Sequence, residues 1–310
     1  MTTPAPTRVL MVGLSCLDHI WQVERFPPLS SRTTAHAYRT QGGGPAATAA
    51  VTAARLGAEA TLWAVHGGDF SGQYALSDLQ KEGVETGNVR SVPGATTFVS
   101  AILVDPQGER HIFPYRGAGL TDTIDGLDLN SIGSFDALLV DGRHPVMAEA
   151  ALQEARRRGV PTVGDFSDTR NWHLTPLLDY LLVSEECAEE ALGRNEPEAA
   201  LATLRRHPKQ LVGITLGEEG FLYDDGDTVR HVTALPVEVV DTNGAGDVFH
   251  GAYTYGVARG WSDERCGLFA SVTAALSCTG IGRSAIPSAA TVDRLLEERT
   301  AQEMEEMRWT

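Results

Sequence analysis

Short apolar runs alternate with helical segments along almost the whole chain, and that rhythm leaves few folds open. Residues 9–13, 60–65 (ATLWAV), 136–142 (DALLVDG), 161–166 (PTVGDF), 178–184 (LDYLLVS) and 210–217 (QLVGITLG) are near-continuous aliphatic stretches bounded by Gly, Pro, Ser or Asp. Such runs mark strands buried on both faces, which occur in parallel sheets covered by helices. The intervening segments supply those helices: 45–56 (PAATAAVTAARL) with Pro in its first turn and Gly57 at its end, one near 73–82, 147–159 (MAEAALQEARRRG), and one from Ala188. The expected fold is therefore an α/β sandwich with a mainly parallel central sheet. No repeat or low-complexity linker interrupts 1–310, so a single domain is expected.

Two segments depart from the rhythm. Residues 20–41 are polar and aromatic with two prolines, and TTFVSAILVD (96–105) with RHIFPY (110–115) reads as a hairpin. Together, at about 15–41 and 96–116, they are expected to form a small β lid beside the main sheet. Near the end, the hairpin 221–232 leads to a strand VEVVD (237–241), a Gly-rich turn, a helix from Asp247 to about Arg259, and two closing helices at 264–278 and 291–307.

Charge narrows the partners. Lys plus Arg total 25 against 41 Asp plus Glu, a net charge of −16 that repels nucleic acid and anionic membranes, so an anionic ligand needs a local site. Only Lys81 and Lys209 are lysines, and neither sits in a Gly-rich loop, which argues against a Walker A lysine or Schiff-base chemistry. The four cysteines form no CxxC pair, and no stretch is long and apolar enough to span a bilayer; a cytoplasmic protein is expected. The first strand is followed by VGLSCLDHI rather than GxGxxG, against a dinucleotide-binding oxidoreductase.

The densest chemistry lies in VVDTNGAGDVFHG (239–251). Gly244 and Gly246 let backbone approach a ligand closely, and free N–H groups at a helix start form an anion hole suited to phosphate. Asp247 beside that hole can accept a hydroxyl proton while the hole holds a transferred phosphoryl group. An ordinary helix cap would use the same residue types, but it needs neither the second glycine nor an acid at this offset.

DTNGAGD (241–247) resembles the C-terminal signature of the ribokinase-like (PfkB) sugar kinases, and GGGPAATAAVTAARLG (42–57) resembles their N-terminal signature. The resemblance implies a three-layer α/β/α fold, a β lid, and ATP- and Mg²⁺-dependent phosphorylation of a sugar hydroxyl. It makes Asp247 the catalytic base, with Gly244, Ala245 and Gly246 as the anion hole. Asp18, Gly42 and Gly43 fall where the family binds sugar; Thr215, Gly217, Gly220, Ser184, Asn243 and Cys278 fall on the ATP side. Asp241, Thr242, Gly280, Arg283 and Ser284 match loops that hold a monovalent cation such as K⁺ in many members. Where the family has an Asn and, three residues on, a Glu that organise Mg²⁺, this chain has Ser184 and Cys187 with Glu185 and Glu186 between, so the Mg²⁺ ligands are left open between water and Glu186.

Arg32, Arg39, Arg116 and Arg143 lie in or near the lid, and Arg is well shaped for bidentate capture of phosphate, sulfonate or carboxylate. GLSCLDHIWQVERFP, the triple glycine, Ser184 and VFHG resemble the sulfofructose kinase branch, which implies 6-deoxy-6-sulfofructose as substrate, phosphorylated on its 1-OH, with Arg32 and Arg143 facing the sulfonate. Pro114 stands where that branch has an Asn, and Arg116 is a substitute donor. Fructose, ribose, 2-keto-3-deoxygluconate and fructose 6-phosphate are the alternative substrates, and a non-catalytic sugar or nucleotide sensor is the alternative class. A homodimer through the lid edges is expected.

Overall fold

The computed structural model describes residues 5–306 apart from 195, with side chains to 298. In chain order, β1 (Arg8–Val12) is followed by β2 (Cys16–Gln22), β3 (Ala37–Gly43), α1 (Pro45–Arg55), β4 (Glu59–Gly67), α2 (Phe70–Lys81) and β5 (Val89–Val92). The hairpin strands β6 (Val99–Val104) and β7 (Arg110–Tyr115) come next, then β8 (Ala137–Val140), α3 (Pro145–Arg158), β9 (Thr162–Phe166) and β10 (Tyr180–Ser184). The remainder is α4 (Glu185–Leu192), α5 (Pro197–Leu204), β11 (Leu211–Thr215), β12 (Phe221–Asp224), β13 (Val229–Val232), α6 (Ala245–Ala258), α7 (Asp263–Ser277) and α8 (Ala289–Glu306). The 291–307 reading of the last helix ends at Met307, outside the described residues.

Nine strands form one sheet in the order β13-β12-β11-β10-β9-β8-β1-β4-β5, parallel from β5 to β11 with β12 and β13 antiparallel at one edge. Val9, Leu10, Met11 and Val12 of the central β1 are fully buried because side chains leaving either face meet a helical layer. Val9 and Met11 join the cluster under α1, α6 and α7, whereas Leu10 and Val12 join the one under α3, α4 and α5. Truncating such a residue, for example Met11→Ala, costs about 2–5 kcal/mol. The ribokinase-like α/β expectation is met.

A second sheet, β3-β2-β6-β7, is built from the two segments that broke the rhythm. β2 pairs antiparallel with β3 and parallel with β6, and β6–β7 is the expected hairpin. Its inner residues Ile20, Ile102 and Val104 pack with Ile281 from the far end of the chain.

Three local expectations need correction. VEVVD is not a strand: the N–H groups of Val240 and Asp241 both donate to the Cys278 carbonyl, at 2.8 and 3.2 Å, so a single helix-end oxygen replaces a strand partner. The helix placed from Ala188 begins at Glu185, because Ser184 Oγ accepts from Cys187 N at 3.2 Å and Glu185 and Glu186 complement the helix dipole. The α2 helix starts at Phe70, where the Asp69 side chain accepts from Gly72 N. β5 (VRSV) and the separate α5 were not anticipated, each being too short for a periodic signal.

Candidate active site at the C-terminal strand ends

Parallel sheets gather function at the carboxyl ends of their strands, and the candidate residues collect there. A cavity of about 540 Å³ lies instead at the opposite ends, lined by Pro161, Asp179, Tyr180, Lys209 and Leu211 among others. Its mixed charges surround none of the candidate residues.

Gly244 adopts φ 79°, a left-handed conformation that admits glycine readily, and turns the chain into α6. Asp247 is the third residue of that helix and caps nothing: the N-cap is Gly244, with no side-chain cap bond. Asp247 Oδ2 stands 3.6 Å from where a Gly244 Cβ would be, so the carboxylate overhangs the turn. Ala245 N is already bonded to Thr242 O at 3.2 Å. Among the described residues nothing accepts from the N–H groups of Gly244, Gly246 or Asp247. In this conformation Ala245 N is therefore occupied, whereas the N–H groups of Gly244, Gly246 and Asp247 are left to take an anion.

The charge behind Asp247 was not foreseen. Burial and the neighbouring Asp165 of β9 push Asp247 up to about 7, against the pull of His250 and Arg283. Asp165 is likewise pushed to about 7 by burial and by Asp141. His250, pushed down to about 4 by burial, is neutral at pH 7, and its Nδ1–H donates to Gly246 O at 2.7 Å with Asp165 Oδ1 at 3.3 Å. A signal existed: His250 is three residues past Asp247 on one helix, hence on the same face, and Asp165 is an acid inside an apolar strand run. Asp141, at the end of β8, accepts from Leu14 N and Ala46 N at 2.7 and 3.2 Å and so fixes the start of α1 against β1.

Among the residues expected to meet a sugar, Asp18 of β2 is buried, and burial raises its carboxyl above the usual range. A Cβ on Gly43 would stand 1.9 Å from Asp18 Oδ2, and Gly42 N donates to Asp78 Oδ2 at 2.9 Å. Gly43 thus lets the Asp18 carboxylate pack against the backbone, and Gly42 does the same for Asp78.

Of the residues expected to meet the nucleotide, Ser184 and Thr215 are register partners at the ends of β10 and β11, and Gly217 and Gly220 form the turn into β12. Ser184 Oγ is used as a helix cap. Cys278 is buried and acts through its carbonyl. Asp241 joins two loops: Oδ1 accepts from Asn243 N at 2.8 Å and Oδ2 from Gly282 N at 2.7 Å. Glu186 is exposed, and among the described residues no three His, Cys, Asp or Glu side chains cluster as a metal site.

The arginines divide. Arg39 donates to Ile281 O at 3.0 Å, so it holds the 280s loop rather than a substrate anion. Arg110, unanticipated, donates from β7 to Thr242 O and Oγ1 at 3.1 and 2.9 Å. Two carbonyls of the loops assigned to a monovalent cation therefore already accept from guanidinium groups. Arg283 turns its side chain away from that loop to Thr48 Oγ1 and Asp78. Gly280 and Ser284 pack together, with Ser284 Oγ bonded to Ile281 O. Arg32 and Arg116 are exposed, and Arg143 is bound to Asp168 Oδ2 at 2.8 Å and to Ser167 Oγ.

The pfkB family carbohydrate kinase model matches residues 6–289. The chain belongs to that family. Among curated relatives of this pfkB kinase, the ribokinase of Schizosaccharomyces pombe is 30% identical, covering 83% of this chain and 86% of its own. That of Haemophilus influenzae is 28% identical over 90% and 94%. A provisionally named ribokinase from Agrobacterium tumefaciens superposes with TM-score 0.91 at 31% identity, covering 96% of this chain and 99% of that one. Arabidopsis thaliana ribokinase, solved with ribose and ATP, shares the fold at TM-score 0.82 and 24% identity, covering 94% and 99%. The kinase is thus a phosphotransferase acting on an alcohol group; among its described residues no helix is long and apolar enough to cross a membrane.

Proposed function

We propose that this kinase transfers the γ-phosphoryl group of ATP to a hydroxyl of a small sugar, with Asp247 as general base. The observation that carries the reading is one helix turn: the Asp247 carboxyl, its pKa raised by burial and by Asp165, directly beside unpaired N–H groups at a helix start. Asp247 takes the hydroxyl proton as the oxygen attacks, and the N–H groups of Gly244, Gly246 and Asp247 hold the developing phosphoryl charge. Asp18, Gly42 and Gly43 receive the sugar; Ser184, Thr215, Gly217, Gly220, Asn243 and Cys278 border the nucleotide. Mg²⁺ would neutralise phosphate charge, held by the nucleotide and water or by Glu186. K⁺ is dispensable on this reading, because Arg39 and Arg110 already brace the loops it would join.

For the substrate we favour an anionic ketose such as 6-deoxy-6-sulfofructose. Asp168 Oδ2 is shared by Arg143 at 2.8 Å and Arg170 at 2.5 Å, which sets two guanidinium groups side by side, with Glu190 and Asp165 also bearing on them. A neutral pentose is the second reading, favoured by the ribokinase names of the relatives. Exposed Tyr38, Phe113 and Tyr115 on the outer strands of the small sheet support a homodimer through the lid. Competition of sugars for Mg·ATP-dependent ADP release, in wild type and Arg143→Gln, tests the choice. An anionic substrate predicts a rise of about tenfold or more in its KM and none for ribose. Equal effects on both sugars would assign Arg143 a structural role.

A further inference from the structure

Gly42 and Gly43 each let charged side chains come up against bare backbone, in two adjoining cradles. Under Gly43 lies Asp18, an acceptor; under Gly42 a Cβ would stand 2.8 Å from Asp78 Oδ2 and 3.1 Å from Arg283 Nη1. Arg283 reaches this place from the far end of the chain and is only 5% exposed. Its Nε and Nη2 donate to Thr48 Oγ1 at 3.2 and 2.9 Å, and its backbone oxygen accepts from Arg55. Nη1 has no hydrogen-bond partner, although Asp78 Oδ2 is 3.5 Å away.

A buried guanidinium with an unused donor is costly unless something completes it. Nε and Nη2 are each bonded to Thr48, so the unused donor is Nη1, the buried atom beside Gly42.

We propose that Arg283 Nη1 is a substrate-binding donor: while Asp18 accepts from one sugar hydroxyl, Nη1 donates to the adjacent oxygen of the same vicinal diol. The proposal rests on the sugar-kinase reading. The chemistry of the cradle favours hydroxyls over a charged group, because Asp18 and Asp78 flank the guanidinium and repel an anion. An anionic substituent would have to lie at the other end of the sugar. Arg283 also faces Asp247 and the Cys16 thiol electrostatically, which places its positive charge among the groups that position the diol and accept its proton.

Arg283→Gln and Gly42→Ala test this separately, one deleting the donor and the other filling the cradle while keeping the guanidinium. Gly42 does not have a positive φ, so alanine is compatible with its backbone. Sugar affinity is read by calorimetry with 6-deoxy-6-sulfofructose, fructose and ribose, and by KM where turnover is measurable. Both variants should weaken binding of the preferred sugar by about tenfold or more. KM for ATP should stay within about twofold. Arg283→Lys should bind sugar less tightly than wild type while keeping more of its kcat than Arg283→Gln, since only the charge is restored. Folded Gly42→Ala with unchanged sugar affinity overturns the proposal, whether or not Arg283→Gln folds. Wild type that binds sugar in an Arg283-dependent way yet releases no ADP would overturn the kinase reading and leave this one standing.

Discussion

His250 Nδ1 lies 3.3 Å from Asp165 Oδ1, within the first two turns of the helix that carries Asp247. The imidazole is neutral near pH 7, so it gives Asp165 no compensating charge, and the Asp165 carboxylate bears on Asp247. A base must be ionised to act, so kcat/KM should fall as the pH drops below about 7. Asp165→Asn removes the like charge, lowers the Asp247 pKa and should move that acidic limb to lower pH in a pH–rate profile. An unmoved limb would mean that Asp165 does not bear on the base.

The same burial has a stability consequence. The folded Asp247 carboxyl titrates near 7 against an ordinary value of 3.8. Its contribution is complete below pH 4 and is lost as the pH rises through 7, where the folded chain must hold a charge that the unfolded chain holds freely in water. Asp247→Asn removes the charge, so at pH 8 it should melt about 2 °C or more above wild type, with a smaller difference at pH 5. A lower melting temperature at pH 8 would show that the ionised carboxylate is well solvated.

Arg110 ties the small sheet to the loop before the anion hole through Thr242, while Thr242 Oγ1 donates back to Gly108 O at 3.0 Å. Arg110→Gln should lower kcat by about threefold to tenfold through lost positioning. Because Arg110 is exposed, its melting temperature should change by no more than about 2 °C. Replacing NaCl by KCl should change the wild-type rate less than about twofold, the two arginines already holding the loops; strong K⁺ activation would refute that account.

Phe113 is 60% exposed on β7 and Tyr38 is 56% exposed on β3. If these strands meet a second copy, light scattering at micromolar concentration should give twice 33.2 kDa, and Phe113→Asp should give a monomer. A monomeric wild type would contradict the dimer.

The fold was legible because buried parallel strands must be apolar on both faces, which leaves continuous runs such as those around Val9 and Leu181. Backbone-only partnerships left no such mark: 237–241 looks like a strand, yet its N–H groups go to one carbonyl, that of Cys278. In the site, the Gly244–Asp247 turn was readable because glycine and acid sit together in sequence. Arg283, Asp78 and Thr48 were not, since they come from three elements up to 235 residues apart and meet only in space. Arg39 and Arg143 show the converse limit: a guanidinium in sequence does not reveal whether a carbonyl or an acid has already claimed it.

The most direct test of the central claim is sugar-dependent ADP release from Mg·ATP by wild type and Asp247→Asn, with 6-deoxy-6-sulfofructose, fructose 6-phosphate, fructose, ribose and 2-keto-3-deoxygluconate. Turnover with at least one sugar, reduced about 10²- to 10⁴-fold in Asp247→Asn while sugar and ATP still bind, is the predicted result. Equal turnover in both proteins, or sugar binding with no ADP release by wild type, would contradict it.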